Sequence, residues 1–160
     1  MQEPLKIRKA TLQDWSKTLP LFKQLYHGDI GPNMRKAFTT LTKDSENCVL
    51  VAEQNKELIG AIIGNYYLDL DWEDKTAKLQ AIIVNEKHRN KGIGKKLFQH
   101  FLTETKKHKC RAITLRVNQK NEIASNFYEK LNFTKAETKE YILELKPINN
   151  IPLSTNHRKH

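Results

Sequence analysis

The 160 residues predict a single α/β domain, a mixed sheet flanked by helices. Three observations predict it. Apolar runs of strand length at 48–52, 58–70, 79–84 and 112–117 alternate with stretches whose apolar residues recur at helical spacing. The order strand, two helices, three strands, helix, strand, helix, strand interleaves helices with a sheet rather than segregating the two. A chain of 160 residues with 38% hydrophobic and 29% charged content can bury one core without disulfide or metal staples.

The first strand is Leu5-Lys6-Ile7-Arg8, where apolar and charged residues alternate. Thr11 and Asp14 form a capping box with Asp in place of Glu, and Trp15, Leu19, Phe22, Leu25 and Tyr26 follow at helical spacing. Pro20 should kink or split that helix. The aromatic stripe reads as core. His27 to Asn33 is a loop by its turn residues, and a short helix over 34–41 follows. Residues 48–52 form a buried strand, 54–57 a turn, and 58–70 a long strand that contains Gly60 and Gly64. Asp69-Leu70-Asp71-Trp72-Glu73-Asp74 closes a hairpin into the strand 79–84. Four acids in those six residues do not make a calcium loop, because Asp74 stands where that loop needs glycine; the turn reads as solvated, or as a lure for a cationic amine.

Ile93, Leu97, Phe98, Phe101 and Leu102 lie along one stripe of a helix that ends near Lys107. A strand at 112–117 follows. Asn121 caps a fourth helix with the apolar face Ile123, Ala124, Phe127, Tyr128 and Leu131, and Asn132 supplies the left-handed residue after it. Tyr141-Ile142-Leu143-Glu144-Leu145 reads as a last strand. Residues 147–160 read as a loosely held tail to a domain spanning 1–146.

Charge and cysteine bound the partners. The net charge of +10 favours anionic ligands without choosing among them, and the lysines are spread along the whole chain. Cys48 and Cys110 stand alone with no paired-cysteine spacing, so neither zinc nor a disulfide is expected. No run reaches the roughly 18 apolar residues of a membrane span, and Met1-Gln2-Glu3-Pro4 opens no signal peptide, so a cytoplasmic protein is expected.

The chemistry concentrates where the strand 79–84 passes through Arg89-Asn90-Lys91 into Gly92-Ile93-Gly94 at the start of a basic helix. Glycines at a helix start leave backbone N–H groups open, the helix dipole adds positive potential, and Arg89, Lys91, Lys95 and Lys96 add full charges. A phosphate or pyrophosphate suits this arrangement. A P-loop is excluded: Arg89 replaces its first glycine and Lys96 its hydroxyl residue. A dinucleotide fingerprint fails at Leu97, where it needs a third glycine, and again at Val117-Asn118, where it needs an acid.

Arg89-x-x-Gly92-x-Gly94 after an apolar strand resembles the acetyl-CoA pyrophosphate loop of the GNAT superfamily of N-acetyltransferases. Asn121-x-x-Ala124-x-x-Phe127-Tyr128-x-Lys130-Leu131-x-Phe133, one strand later, is similar to that family's other recurrent segment. The resemblance covers roughly residues 5–145. It implies a GNAT fold with a mostly antiparallel central sheet, splayed at the acetyl-CoA site. Backbone groups of Ile82, Ile83 and Val84 would hold the pantetheine and polarise the acetyl carbonyl. Arg89, Asn90, Lys91, Gly92, Ile93 and Gly94 would hold the pyrophosphate, Asn121 would touch the pantetheine arm, and Tyr128 would protonate the departing thiolate.

The resemblance leaves the general base open. Where relatives carry a glutamate this chain carries Gln80 and Arg116, so water or an acid among Asp29, Asp69, Asp71 and Glu86 must assist. Asp29, Asp69 and Asp71 are the acceptor-site candidates. A small-molecule amine is favoured over a protein terminus or lysine. Membrane and metal are not expected, nucleic acid is disfavoured, and a homodimer is compatible. The rivals are a catalytically silent acyl-CoA-binding domain and a basic RNA- or ribosome-associated module, which lacks an exposed aromatic stacking face.

Overall fold

A computed structural model describes residues 3–143 and 145. These divide into two compact units, one through Arg116 and one from Val117. The first holds a five-stranded sheet in sequence order: β1 (Lys6–Lys9), β2 (Asn47–Gln54), β3 (Glu57–Asp69), β4 (Asp74–Val84) and β5 (Ala112–Leu115). Neighbours are antiparallel except β4 and β5, which are parallel. Three helices, α1 (Trp15–Leu25), α2 (Met34–Lys43) and α3 (Ile93–Lys107), belong to this unit; α4 (Glu122–Lys130) belongs to the second.

The two sheet faces bury different helices. On β3, a Cβ placed on Gly60 would lie 3.0 Å from Leu97 Cδ1, and one on Gly64 would lie 2.5 Å from two ring carbons of Phe101. The two glycines are four residues apart on the strand and the two α3 side chains four apart on the helix, so α3 lies along a groove that only glycine leaves open. Leu97 and Phe101 are fully buried there. Alternation turns Ala61 and Ile63 to the opposite face. There Ala61 packs with Leu21, Val51 and Ile83, and Ile63 packs with Phe22, Phe38 and Val49. Trp15, Phe22 and Phe38 join α1 to α2 with ring centroids 5.6–6.2 Å apart.

Local chemistry sets the element ends. Asp14 accepts hydrogen bonds from the Thr11 N–H at 2.7 Å and hydroxyl at 3.1 Å, and so fixes the entry to α1. Arg8 reaches the same carboxylate at 2.8 Å and Glu53 at 2.7 Å, tying β1 to β2 and to that entry. Asn55 and Lys56, at φ 51° and 65°, make the tight turn between β2 and β3.

Four sequence expectations are corrected. Helix α1 runs unbroken through Pro20; proline removes one N–H, while burial of Leu21 and Phe22 in the following turn holds the helix to the sheet. Strand β4 begins at Asp74 rather than Leu79, because pairing with β3 and β5 makes strand of a polar stretch in which Thr76 and Ala77 are fully buried. Ile123 is 86% exposed rather than part of the apolar face of α4. Tyr141, Ile142 and Leu143 form no strand, and Leu145 lies in a bend; these side chains are exposed, and alternation without a partner strand makes no ladder. Glu144 and the tail 147–160 lie outside the described residues.

Candidate active site

Strand β5 accompanies β4 only from the pair Thr76·Ala112 to Leu79·Leu115. Beyond Leu79 the two strands part. The cause lies in β4 itself: Gly64 stands opposite Leu79 but Ile63 opposite Ala81, so Gln80 is an extra residue, a bulge, at the place where the strands separate. The Gln80 side-chain amide donates to Asn65 Oδ1 at 2.8 Å and fixes the bulged residue against β3.

The ladder distinguishes the three backbone candidates. The Asn85 N–H donates to the Ile59 carbonyl at 2.8 Å, which makes Gly60·Val84 a pair of the non-hydrogen-bonded kind. By alternation Ile62·Ile82 is of the same kind and Ala61·Ile83 of the bonded kind. The peptide groups of Ile82 and Val84 therefore point away from β3, into the space β5 has left. Those of Ile83 are taken by Ala61. The Val84 carbonyl receives the Arg89 Nε at 3.1 Å, so this arginine folds back over the strand end.

From there the chain turns sharply into α3. Asn90 at φ 60° and Gly92 at φ 75° both occupy the left-handed region, and Gly92 caps the helix with no side chain to offer. The first intrahelical donor is the Lys96 N–H, bonded to the Gly92 carbonyl at 3.0 Å. The N–H groups of Ile93, Gly94 and Lys95 precede it and receive no side-chain cap. Lys91, Lys95 and Lys96 are exposed around them. Three open donors at the positive end of a 15-residue helix, beside a strand edge whose Ile82 and Val84 N–H groups turn outward, form one continuous polar track.

The remaining candidates fall at different places. The Glu86 N–H donates to Gln24 Oε1 at 3.1 Å, which holds the end of α1, and the Asp29 loop after it, at the parted end of the sheet. Asp69 and Asp71 belong to the hairpin before β4, about 20 Å of strand from Gln80. In the second unit Asn121 caps α4 by accepting the Ala124 N–H at 3.1 Å, which leaves its amide N–H groups for another partner. Tyr128, seven residues on, packs edge-on against Phe127 and Phe133, and burial pushes its phenol up to about 12. It stays protonated at neutral pH. Burial pushes the thiols of Cys48 and Cys110 up, which lowers the thiolate fraction of each. Sequence reasoning missed Asn65, Lys78 and Thr114, which stand side by side across the sheet next to the bulge; the signal was the polar member of each alternating pair, masked because the strand at 78 went unread.

The sequence profile of the Acetyltransferase (GNAT) family matches residues 11–133. The chain belongs to this family. It is a GNAT acetyl-CoA-dependent acyltransferase. Among its relatives, the 5-NmdU N-acetyltransferase of Pseudomonas phage PaMx11 is 30% identical over 131 residues, covering 81% of this chain and 87% of that protein. The uncharacterized N-acetyltransferase CgeE of Bacillus subtilis (strain 168) is 26% identical over 127 residues, 79% of this chain, which spans 49% of that longer protein. In fold, the chain is similar to AAC(6')-Iy solved with the bisubstrate analog CoA-S-monomethyl-acetylneamine, at TM-score 0.79 and 18% identity over 89% of this chain and 99% of that one.

The residues of this GNAT chain fit acetyl-CoA. Uncapped N–H groups at the start of α3 match a diphosphate, and the turned-out peptide groups of Ile82 and Val84 match an arm that carries amides. Among the described residues no cluster of His, Cys, Asp and Glu is placed to hold a metal, and no helix is long and apolar enough to cross a membrane.

Proposed function

We propose that this chain transfers the acetyl group of acetyl-CoA directly to the primary amine of a small molecule. The observation that carries the reading is the continuity of two sets of outward N–H donors in one unit: those of Ile82 and Val84 beyond the bulge and those at the open start of α3. Acetyl-CoA supplies an activated thioester. The chain's part is to position it. The N–H groups of Ile93, Gly94 and Lys95 hold the pyrophosphate with Arg89, Asn90 and Lys91 around it. The peptide groups of Ile82 and Val84 hold the arm and offer an N–H to a carbonyl that gains negative charge.

Two proton movements remain. Tyr128, protonated at neutral pH as any phenol is, is the proposed donor to the departing thiolate. The amine must arrive unprotonated, and the bulge that would present a base presents the amide of Gln80 instead. Asp29, at the parted end of the sheet, is the proposed partner of the ammonium form before it loses its proton. The amine attacks the thioester carbonyl itself, and the thiolate of CoA leaves, so the transfer needs no acyl-enzyme.

The test has two steps. Thermal denaturation is followed with acetyl-CoA, NAD, ATP and a short RNA at two salt concentrations, and release of free CoA is then measured with a panel of amines that includes 5-NmdU. At 100 times Kd acetyl-CoA adds about 2.7 kcal/mol, a Tm rise of about 5–10 °C for a chain of this size. Such a rise that survives salt, with CoA release on at least one amine, is expected. A rise without release on any amine would leave an acyl-CoA-binding domain, and stabilisation by RNA alone would discard the reading.

A further inference from the structure

At the point where β4 and β5 part, the sheet face turned away from α3 carries two cations. Gly64 faces α3 and stands opposite Leu79, so Leu79 faces α3 and its neighbour Lys78 faces the other way. Asn65 on β3 and Thr114 on β5 stand directly opposite Lys78 on its two sides. Gln80, bonded to Asn65, lies at the next position along β4, and Arg116 follows two residues after Thr114. The row Asn65, Lys78, Thr114 thus presents an amide, an ammonium and a hydroxyl at the mouth of the gap, with a guanidinium beside them.

This is an unusual place for a lysine. Lys78 is half-buried between two flanking strands, and no carboxylate pairs with it among the described residues. Burial and the nearby charge of Arg116 both lower its pKa. A half-buried ammonium with no carboxylate beside it is stabilised when an anion lies against it. A neighbouring hydroxyl and amide complete a donor set suited to an oxyanion.

Resting on the acetyl-transfer reading for what the gap holds, we infer that Lys78 and Arg116, with Thr114, bind an oxyanion carried by the acceptor, so that the substrate is an amine bearing a phosphate or carboxylate. The amine then enters from this face with its charged group anchored beside the bulge. The same two cations disfavour a bare polyamine, which would bring further positive charge to the site.

The test uses the ¹⁵N-labelled full chain with CoA present to occupy the glycine loop. It is titrated separately with O-phosphoethanolamine, β-alanine and propylamine, three amines of similar length that differ in the anion. The expected result is saturable movement of the Lys78, Thr114 and Arg116 amide signals with the first two, the tighter of which identifies phosphate or carboxylate. Propylamine should leave them in place. Lys78→Gln and Arg116→Gln should each weaken the anionic ligand about 10-fold, while the Tm rise with acetyl-CoA stays as in the parent chain. Equal response to all three amines, or anion binding indifferent to both substitutions, would overturn the inference. Absence of the acetyl-CoA rise would instead overturn the acetyl-transfer reading, and signals near Gly92 report that site separately from those near Lys78.

Discussion

Single residues carry the chemistry, and those that obey a local rule are the ones a sequence discloses. Gly92 opens α3 in the left-handed region, Asn121 caps α4 through its side chain, and Asn132 closes α4 at φ 67°. Each follows from its own side chain and nearest neighbours. Tyr128 is different, because its state is set by its surroundings: it packs against the rings of Phe127 and Phe133, and burial pushes its phenol up to about 12, which keeps the proton on it and makes it a weaker acid than a free phenol. If Tyr128 protonates the thiolate, Tyr128→Phe keeps the ring packing and removes only the proton. It should lower kcat by about 10²-fold at saturating acetyl-CoA and leave KM for acetyl-CoA nearly unchanged. An unchanged kcat would take the role away from this residue. Gln80 shows the limit of residue-level reading: its type was visible, but its being the extra residue of a bulge depends on register with β3, which no local pattern encodes.

Elements are set by what they pair with. The helical stripe of α3 stood out because Ile93, Leu97, Phe98 and Phe101 are all buried on one side. The first half of β4 did not, since Asp74-Lys75-Thr76-Ala77-Lys78 has no apolar run and becomes strand through its neighbours. The residues 141–143 failed in the opposite sense, with a strand-like alternation and no partner strand among the described residues. Gly60 and Gly64 were visible as glycines, but their purpose appears only with α3 above them. At Gly64 an added Cβ would meet the Phe101 ring at 2.5 Å and the Lys78 carbonyl at 2.9 Å. At Gly60 it would meet the Leu97 methyl and the Ile83 carbonyl, both at 3.0 Å. Gly64→Ala should therefore cost about 1–3 kcal/mol in urea denaturation, and Gly60→Ala less. Adding Phe101→Leu should recover part of the Gly64→Ala loss, as the ring causes the clash. Equal costs at the two glycines would mean that α3 does not sit on the sheet as described.

At the scale of the whole chain the decisive quantity is charge. A net charge of +10 grows as carboxylates protonate, so acid weakens every such fold by self-repulsion, whatever its individual contacts. One cluster adds a specific term. The Arg8 guanidinium bonds Asp14 at 2.8 Å and Glu53 at 2.7 Å, joining β1, β2 and the entry to α1. The hydrogen bond from Arg8 lowers Asp14 to about 2, and the same partner lowers Glu53. A carboxylate whose pKa is lower folded than unfolded stabilises the fold above its unfolded value, near 3.9 for Asp, and loses that contribution as the pH falls through its folded value. Asp14 is 5% exposed, so the contribution is only weakly screened and amounts to about 2 kcal/mol. Stability measured by urea denaturation should therefore fall between pH 5 and pH 2. Asp14→Asn should begin lower at pH 7 and fall less steeply, because the general repulsion is common to both chains while the Asp14 term is not. The two curves should approach one another by about 2 kcal/mol on acidification. Curves that stay parallel to pH 2 would show that Arg8 does not hold this carboxylate, and that the join between the first strand and the first helix is made by packing alone.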